Sequence, residues 1–164
     1  MRDAGPGEMV DTHGARVAPT PVPATAADEP RVGPVRWERT YPPEDSYATM
    51  ARLEVLGALQ RAGVRGHALE DARTVAAELV ANAIVHAGTP FTVVVDVDSQ
   101  RLRIAVYDGS ARIPRLLGSP PGTWPGFGLQ IVGGLATAWG WQRMMSGRSK
   151  VVWAELGSTG AAGA

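Results

Sequence analysis

Hydrophobic and polar positions alternate regularly only in the middle of the chain, from about residue 36 to residue 156. Apolar residues three or four positions apart are typical of helices packed on one side, and they predict helices over about 44–63, 69–87 and 126–136. Apolar residues at every second position are typical of half-buried strands. The predicted strands are Trp37–Tyr41, Phe91–Val97, Leu102–Asp108, Trp139–Met145 and Lys150–Leu156.

The order of these elements favours one α+β domain. The second and third strands are joined by a tight turn at residues 98–100, and the last two by a turn at residues 146–148. Helices come in two blocks, with hairpins between and after them, which is the pattern of a two-layer sandwich with helices on one face of a largely antiparallel sheet. A stretch rich in glycine and proline, residues 109–126, interrupts the pattern, and long loops of this kind tend to be lids or binding loops.

The two ends of the chain lack such a pattern. Residues 1–35 contain no Phe, Trp, Tyr, Leu or Ile and hold six of the thirteen prolines. Such a segment buries too little apolar area to offset the entropy of ordering, so we predict a disordered tail, with a docking peptide as the alternative. Residues 157–164 are small and predicted to be frayed. The predicted domain therefore covers residues 36–156.

The amino-acid composition excludes several classes of partner and of metal site. Sixteen basic and sixteen acidic residues give a formal net charge of zero, so neither nucleic acid nor an anionic membrane surface is the expected partner. The sequence has no cysteine and its three histidines lie far apart, which excludes disulfides, thiolate metal sites and histidine-based metal motifs. No apolar run is long enough to span a membrane and the N-terminus lacks a signal-peptide core, so we expect a cytoplasmic protein.

The second predicted helix carries a distinctive set of polar residues. Between Thr74 and Ala87 every residue is apolar except Thr74, Glu78, Asn82 and His86, which stand four positions apart. This spacing places the four in one stripe along the helix, and the apolar residues predict burial on every other side. Buried carboxylate and amide groups need partners. Two interpretations are open: an internal hydrogen-bond network, or a pocket in which Glu78 is a base and Asn82 contacts a metal or ligand.

Two further motifs bear on this choice. The third predicted strand ends in Asp108-Gly109-Ser110, where the aspartate either caps a turn or faces a site. Gly126-Phe127-Gly128-Leu129 opens the third helix, and glycines at a helix start let the backbone approach a phosphate closely. Glycine also punctuates ordinary loops, so this motif alone is weak. The Walker A pattern of P-loop proteins does not occur in the sequence.

The order and spacing of the three motifs resemble the ATP-binding domain shared by gyrase, the histidine kinases and the mismatch-repair ATPases. Within that superfamily, the segment 78–87 and the final strand 150–156 are similar to the small anti-sigma-factor kinases. The greatest similarity is to the actinobacterial group of stand-alone ATP-binding regulatory proteins. The resemblance covers about residues 36–156 and implies the two-layer sandwich of histidine kinase-like ATPases, the Bergerat type.

The resemblance also implies roles for the motif residues. Asn82 would coordinate Mg²⁺, and Glu78 would orient or deprotonate the attacking hydroxyl group. Asp108 would accept the amino group of adenine and so select ATP over GTP. Arg112 and Arg115 would either pair with phosphates or be solvated. The remaining nucleotide-binding positions it implies are Ser110, Gly126, Gly128, Leu129 and, with a structural hydrogen bond as the alternative, His86.

In function, the resemblance implies a serine/threonine protein kinase that uses ATP and Mg²⁺ to phosphorylate a small antagonist protein, with a sigma factor as a possible second partner and a homodimer as a possible assembly. The alternatives are a non-catalytic, nucleotide-gated binding module and a member that has lost ATP binding. Two departures bear on these alternatives. Ala111-Arg112 follows Asp108-Gly109-Ser110 without the second glycine of the fuller motif. Val151 stands where many relatives have a threonine that helps hold adenine, and the lost hydrogen bond, worth about 0.5–1.5 kcal/mol, predicts weak nucleotide binding.

Overall fold

The computed structural model describes residues 35–112, 127–145 and 147–157. The described residues do not include residues 1–34 and 158–164 of the predicted tails, the larger part of the loop 109–126 with Arg115 and Gly126, or Ser146. The described strands are β1 Val35–Tyr41, β2 Phe91–Val97, β3 Arg101–Asp108, β4 Ala138–Arg143 and β5 Lys150–Gly157. They form one sheet in the order β1-β2-β3-β5-β4, and every neighbouring pair is antiparallel.

Within the described ranges, three α-helices pack against this sheet: α1 Asp45–Arg61, α2 Gly66–Asn82 and α3 Phe127–Leu135. The central helix is α2, which contacts α1, α3 and the strands β3 and β5. Apolar side chains of the three helices and of one face of the sheet form a continuous core. The predicted fold class, an α+β two-layer sandwich with helices on one face of an antiparallel sheet, is confirmed.

The alternation of side chains along the central strands decides which residues reach this core. In β2 and β3, the side chains of Val93, Val95, Ile104 and Val106 are at most 1% exposed and belong to the helix-side core. The residues between them face the opposite side of the sheet, because successive strand residues point to opposite faces. A second, smaller apolar cluster there is formed by Val94, Ala105, Val151 and Trp153.

Local turn chemistry explains several element boundaries. The Asp98 carboxylate accepts the backbone N–H groups of Gln100 and Arg101 at 2.8 Å each, which closes the predicted turn between β2 and β3. α1 ends at Arg61 with Ala62 as its C-cap, and Gly63 follows with a φ of +85°, a left-handed conformation that favours glycine. At the start of α1, Glu44 takes the N-cap position, but no side-chain hydrogen bond caps the helix.

The predicted bounds of α2 differ from the observed helix at both ends. The helix begins at Gly66, three residues before its predicted start. The apolar pattern does not indicate this start, because Gly66 and His67 add no apolar side chain to it. After Asn82 the chain continues as a single π-helical turn, Ala83–Ala87. The expectation that every side except the polar stripe is buried is wrong in this turn, where Val85 is 69% exposed.

The first strand begins two residues earlier than predicted, and the last strand ends one residue later. β1 begins at Val35, which pairs with Val97, and β5 ends at Gly157, which pairs with Arg101. The lack of large apolar side chains in residues 1–35 and the small side chains of residues 157–164 predict tails at both positions, so these two strand pairings differ from the prediction. In the last hairpin β4 ends at Arg143, two residues before its predicted end.

Candidate functional site

α2 carries Glu78 and Asn82, the two residues predicted to do the chemistry, one helical turn apart. Both are partly exposed, whereas Val75, Leu79 and Val80 on the same helix are fully buried in the core. The burial of these apolar side chains fixes the rotation of the helix about its axis. Glu78 and Asn82 therefore lie together on a side of α2 that remains accessible, in agreement with the predicted stripe.

The two outer members of the stripe have different surroundings. The Thr74 hydroxyl donates to the backbone carbonyl of Glu70 at 3.0 Å, so it is satisfied within the helix. His86 lies in the π-helical turn beyond Asn82 and is exposed. At one end of the stripe Thr74 is hydrogen-bonded within the helix, and at the other end His86 is exposed to solvent. Glu78 and Asn82 lie between them.

α3 brings its first turn against the carboxylate of Glu78. A Cβ atom placed on Gly128 would lie 2.5 Å from Oε2 of Glu78, which is closer than real Cβ atoms approach other heavy atoms. The next residue, Leu129, is 5% exposed and anchors this turn in the core. The structure therefore brings together Glu78 and Gly128, which were predicted from separate motifs.

Asp108, at the end of β3, is a buried carboxylate whose two oxygens differ. Oδ1 accepts two hydrogen bonds, from Nζ of Lys150 at 2.8 Å and from the backbone N–H of Ser110 at 2.9 Å. Oδ2 is also buried, and no donor within the described part of the chain reaches it. A buried acceptor without a partner costs about 1–3 kcal/mol. Oδ1 thus caps the turn, as one interpretation of Asp108 predicts, and the role of Asp108 in a ligand site stays a prediction, for which Oδ2 is the atom without a donor.

Lys150 is a site residue that the sequence analysis missed. It is the only lysine in the chain, and its register partner on the neighbouring strand is Asp108. The two side chains are 2% and 1% exposed, so their opposite charges compensate each other where water does not reach. The signal that could have found it is strand pairing, because in an antiparallel pair the end of one strand faces the start of the other.

Thr89 is a second residue that the sequence analysis missed. Its Oγ1 accepts the backbone N–H of Gly109 at 2.8 Å, and a Cβ atom on Gly109 would lie 3.3 Å from the Thr89 side chain. Further along, the Ser110 hydroxyl oxygen accepts the backbone N–H of Arg112 at 3.1 Å. These bonds hold the backbone that follows Asp108 against the segment that follows α2.

An open depression of about 550 Å³ lies at this end of the sheet. It is lined by residues 109–112, by Ala87 and Thr89, and by Arg148 of the last turn. Its volume lies in the range of small-molecule sites. In the described part of the chain it adjoins the Asp108 side of the predicted site, whereas Glu78 and Asn82 are not among its lining residues.

Val151 does not have the position that the sequence analysis assumed. Val152 packs into the helix-side core, whereas Val151 packs with Trp153 on the opposite face of the sheet. The residue of β5 that contacts Asp108 is Lys150. The predicted loss of an adenine contact at Val151 is therefore wrong, because strand alternation turns this side chain away from Asp108.

The fold and the site define the class of this protein as a two-layer ATPase-like domain with an acid-amide pair on its central helix. The family model of the histidine kinase-like ATPase domain matches residues 41–155, more than two thirds of the chain. The chain therefore belongs to the histidine kinase-like ATPase domain family, which supports an ATP-binding regulatory function. No curated protein matches the chain. None of the described helices is both long enough and apolar enough to cross a lipid bilayer.

Proposed function

We propose that this chain is an ATP-dependent protein kinase that phosphorylates a serine or threonine of a small antagonist protein, in a partner-switching system that also includes a sigma factor. The observation that carries the proposal is the position of Glu78. It lies one turn from Asn82 on the accessible side of α2, with its carboxylate against Gly128 in the first turn of α3. Phosphoryl transfer uses groups of these kinds: a base, an oxygen ligand for Mg²⁺, and backbone N–H groups that lie close to the phosphates.

In this proposal Glu78 accepts the proton of the attacking hydroxyl group as its oxygen bonds to the γ-phosphorus and ADP leaves. Gly128 and Leu129 belong to the first turn of α3, where backbone N–H groups and the helix dipole favour negative charge. The lack of a side chain on Gly128 leaves room for the Glu78 carboxylate. The proposed base and the proposed phosphate-binding backbone are thus neighbours.

Asn82 and Asp108 supply the remaining contacts with Mg·ATP. The amide oxygen of Asn82 is a ligand type that Mg²⁺ accepts. Among the described residues no group of three or more Asp, Glu or His side chains could hold a metal ion, so most ligands of the ion would be phosphate oxygens and water. The unpaired Oδ2 of Asp108 suits the 6-amino group of adenine. When bound, ATP would supply the phosphoryl group, and Mg²⁺ would neutralise negative charge on the phosphates during the transfer.

The test uses Glu78→Gln, which keeps the size of the side chain and removes the base. The full chain is incubated with labelled ATP, Mg²⁺ and each antagonist protein encoded near its gene. We expect ATP binding to persist while phosphoryl transfer falls by about 10²–10⁴-fold, the usual contribution of a general base. The matched control is Glu70→Gln on the same helix, where the carboxylate is 63% exposed and paired with Arg73. Its transfer rate should equal that of the wild type.

A nucleotide-gated binding module without chemistry is the second candidate. The observation that favours it is the open depression, which is lined by residues 109–112 and not by Glu78 or Asn82. In such a module ATP binding alone would change affinity for the partner protein. Tight ATP binding with no phosphoryl transfer to any antagonist, and a partner response that survives Glu78→Gln, would overturn the kinase proposal in favour of the module.

A further inference from the structure

We propose that Lys150 determines which purine base the site accepts, an inference that rests on the proposed binding of ATP at Asp108. The relevant observation is that the two oxygens of this carboxylate are not equivalent. Lys150 Nζ and the backbone N–H of Ser110 both donate to Oδ1, at 2.8 and 2.9 Å. Oδ2 has no donor within the described residues.

The two donors fill the hydrogen-bonding capacity of Oδ1. A carboxylate oxygen has two lone pairs, and both are used here. Turning the carboxylate to expose Oδ1 would separate it from the Lys150 ammonium group, and both side chains are at most 2% exposed. An unpaired buried charge is strongly unfavourable, so the ion pair holds this orientation. Asp108 therefore presents one acceptor to a ligand.

A single acceptor distinguishes between the two common purines. The 6-amino group of adenine is one donor and needs one acceptor. Guanine has a carbonyl at this position, and its donors are N1–H and the 2-amino group, which lie side by side. A carboxylate with two free oxygens accepts such a pair of donors in the bidentate way that it accepts arginine. By occupying Oδ1, Lys150 removes the second oxygen, so the site favours adenine and rejects guanine.

The same geometry predicts the behaviour of Asp108→Asn. Because Lys150 Nζ and the Ser110 N–H are both donors, they hold the amide oxygen of the asparagine in the place of Oδ1. Its NH₂ group then takes the place of Oδ2 and presents a donor to the base. A donor in this place suits the 6-carbonyl group of hypoxanthine and opposes the 6-amino group of adenine. This variant should therefore prefer ITP to ATP.

The experiment measures dissociation constants of ATP, ITP and GTP with Mg²⁺ by calorimetry on the full chain. The wild type should bind ATP at least about tenfold more tightly than ITP or GTP, the usual effect of one hydrogen bond to a charged group. Asp108→Asn should invert the ratio of ATP to ITP. Lys150→Met should reduce the preference for ATP over GTP by about tenfold, because one lone pair of Oδ1 becomes free to accept a second donor of guanine while Ser110 still donates to the other. The matched control is Arg143→Met, which removes an exposed positive charge on the register partner of Lys150 in β4.

Each outcome decides between the proposals. If the wild type binds none of the three nucleotides, the proposed function fails and this inference fails with it. If ATP binds but GTP binds equally well, or if folded Lys150→Met changes the base preference no more than Arg143→Met does, the role of Lys150 is overturned and ATP binding stands. Should Lys150→Met not fold, as its thermal unfolding curve would reveal, the double variant Asp108→Asn/Lys150→Met, which removes both charges of the pair, takes its place. A ratio of ATP to ITP affinity equal to that of Asp108→Asn alone would then overturn the role of Lys150.

Discussion

The carboxylate of Glu78 occupies the space in which a side chain on Gly128 would begin. The two residues belong to different helices, and a Cβ atom on Gly128 would come within 2.5 Å of Oε2. The obstructing atom is the end of a flexible side chain and not backbone. The two helices can therefore keep their places while the carboxylate moves aside, so a substitution here should affect the proposed base more than the stability of the fold.

Gly128→Ala is the variant that tests this relationship. The free energy of unfolding should change by no more than about 1 kcal/mol, because the gain of about 0.5–1 kcal/mol from replacing a helical glycine offsets local crowding. Phosphoryl transfer should fall by at least about tenfold, because small displacements of a catalytic group are costly. Urea unfolding and the transfer assay measure the two effects on the same preparation.

Gly134→Ala is the matched control for this variant. Gly134 lies on the same helix, and an added Cβ atom would meet no heavy atom within 4 Å. The control should be as stable as the wild type or slightly more stable, with an unchanged transfer rate. An equal loss of transfer in both variants would mean that the helix as a whole, and not the contact with Glu78, controls the rate.

Gly133 and Gly134 are neighbours in α3 but should respond to alanine in opposite directions. A Cβ atom on Gly133 would lie 3.0 Å from Nε1 of Trp139, whose side chain is 8% exposed and packed in the core. A buried indole ring gives way less easily than a flexible carboxylate. Gly133→Ala should therefore lower the free energy of unfolding by about 1–3 kcal/mol, as overpacking usually does. Equal urea midpoints for the two alanine variants would contradict the packing at Trp139.

The fold could be predicted from the sequence because its strands carry an apolar residue at every second position on the core side and its turns have clear chemistry. For β2 the predicted and observed bounds, Phe91–Val97, are the same, and Asp98 closes the turn after it. The π-helical turn Ala83–Ala87 could not be predicted, since its apolar spacing does not differ from that of an α-helix. The start of α2 at Gly66 was missed for the related reason that its first turn contributes no apolar pattern.

Site residues that lie on one helix could be predicted from their spacing in the sequence. Site residues that meet across two paired strands could not, because their contact depends on the register of the strands. Glu78 and Asn82 follow from their spacing on one helix. Lys150 contacts Asp108 from 42 positions away, and that contact depends on the pairing of β3 with β5. The same pairing decides that Val151 faces the other side of the sheet. Local patterns do not contain this information.

Thr89→Val tests whether the segment after α2 holds the loop that follows Asp108. The variant keeps the shape of the side chain and removes the acceptor of the Gly109 N–H. Because water can reach this exposed bond, the loss of stability should stay below about 1 kcal/mol. Affinity for ATP should fall by about three- to tenfold as the backbone at Gly109 loosens, which calorimetry measures.

The control for Thr89→Val is Thr92→Val, which removes an exposed hydroxyl that bonds Thr40 at 2.7 Å on the outer face of the sheet. ATP affinity should be unchanged in this control. If both valine variants bind ATP as the wild type does, the hydrogen bond to Gly109 has no part in nucleotide binding.

Tyr41 links β1 to α1 through its hydroxyl group, which donates to Oε2 of Glu54 at 2.5 Å, while its ring stacks on Phe91 with centroids 5.5 Å apart. The side chain is 2% exposed. Burial raises the pKa of the Tyr41 hydroxyl well above its ordinary value of 10.0, and the hydrogen bond and negative charge of Glu54 raise it further. The folded protein therefore retains this proton at a pH at which the unfolded chain loses it.

This difference gives the fold a defined dependence on alkaline pH. The stabilisation is complete below pH 10.0, the ordinary pKa, and is lost as the pH rises from there towards the folded pKa, by up to about 1.4 kcal/mol per pH unit. Tyr41→Phe should be less stable than the wild type by about 1–2 kcal/mol at pH 7, because Glu54 loses a donor. Between pH 10 and 11.5 its stability should fall less steeply than that of the wild type. The control is Tyr47→Phe, since Tyr47 is a partly exposed tyrosine in α1, and its stability should fall with pH as steeply as that of the wild type. If the urea midpoints of all three proteins fall with pH along parallel lines, the raised pKa of Tyr41 is contradicted.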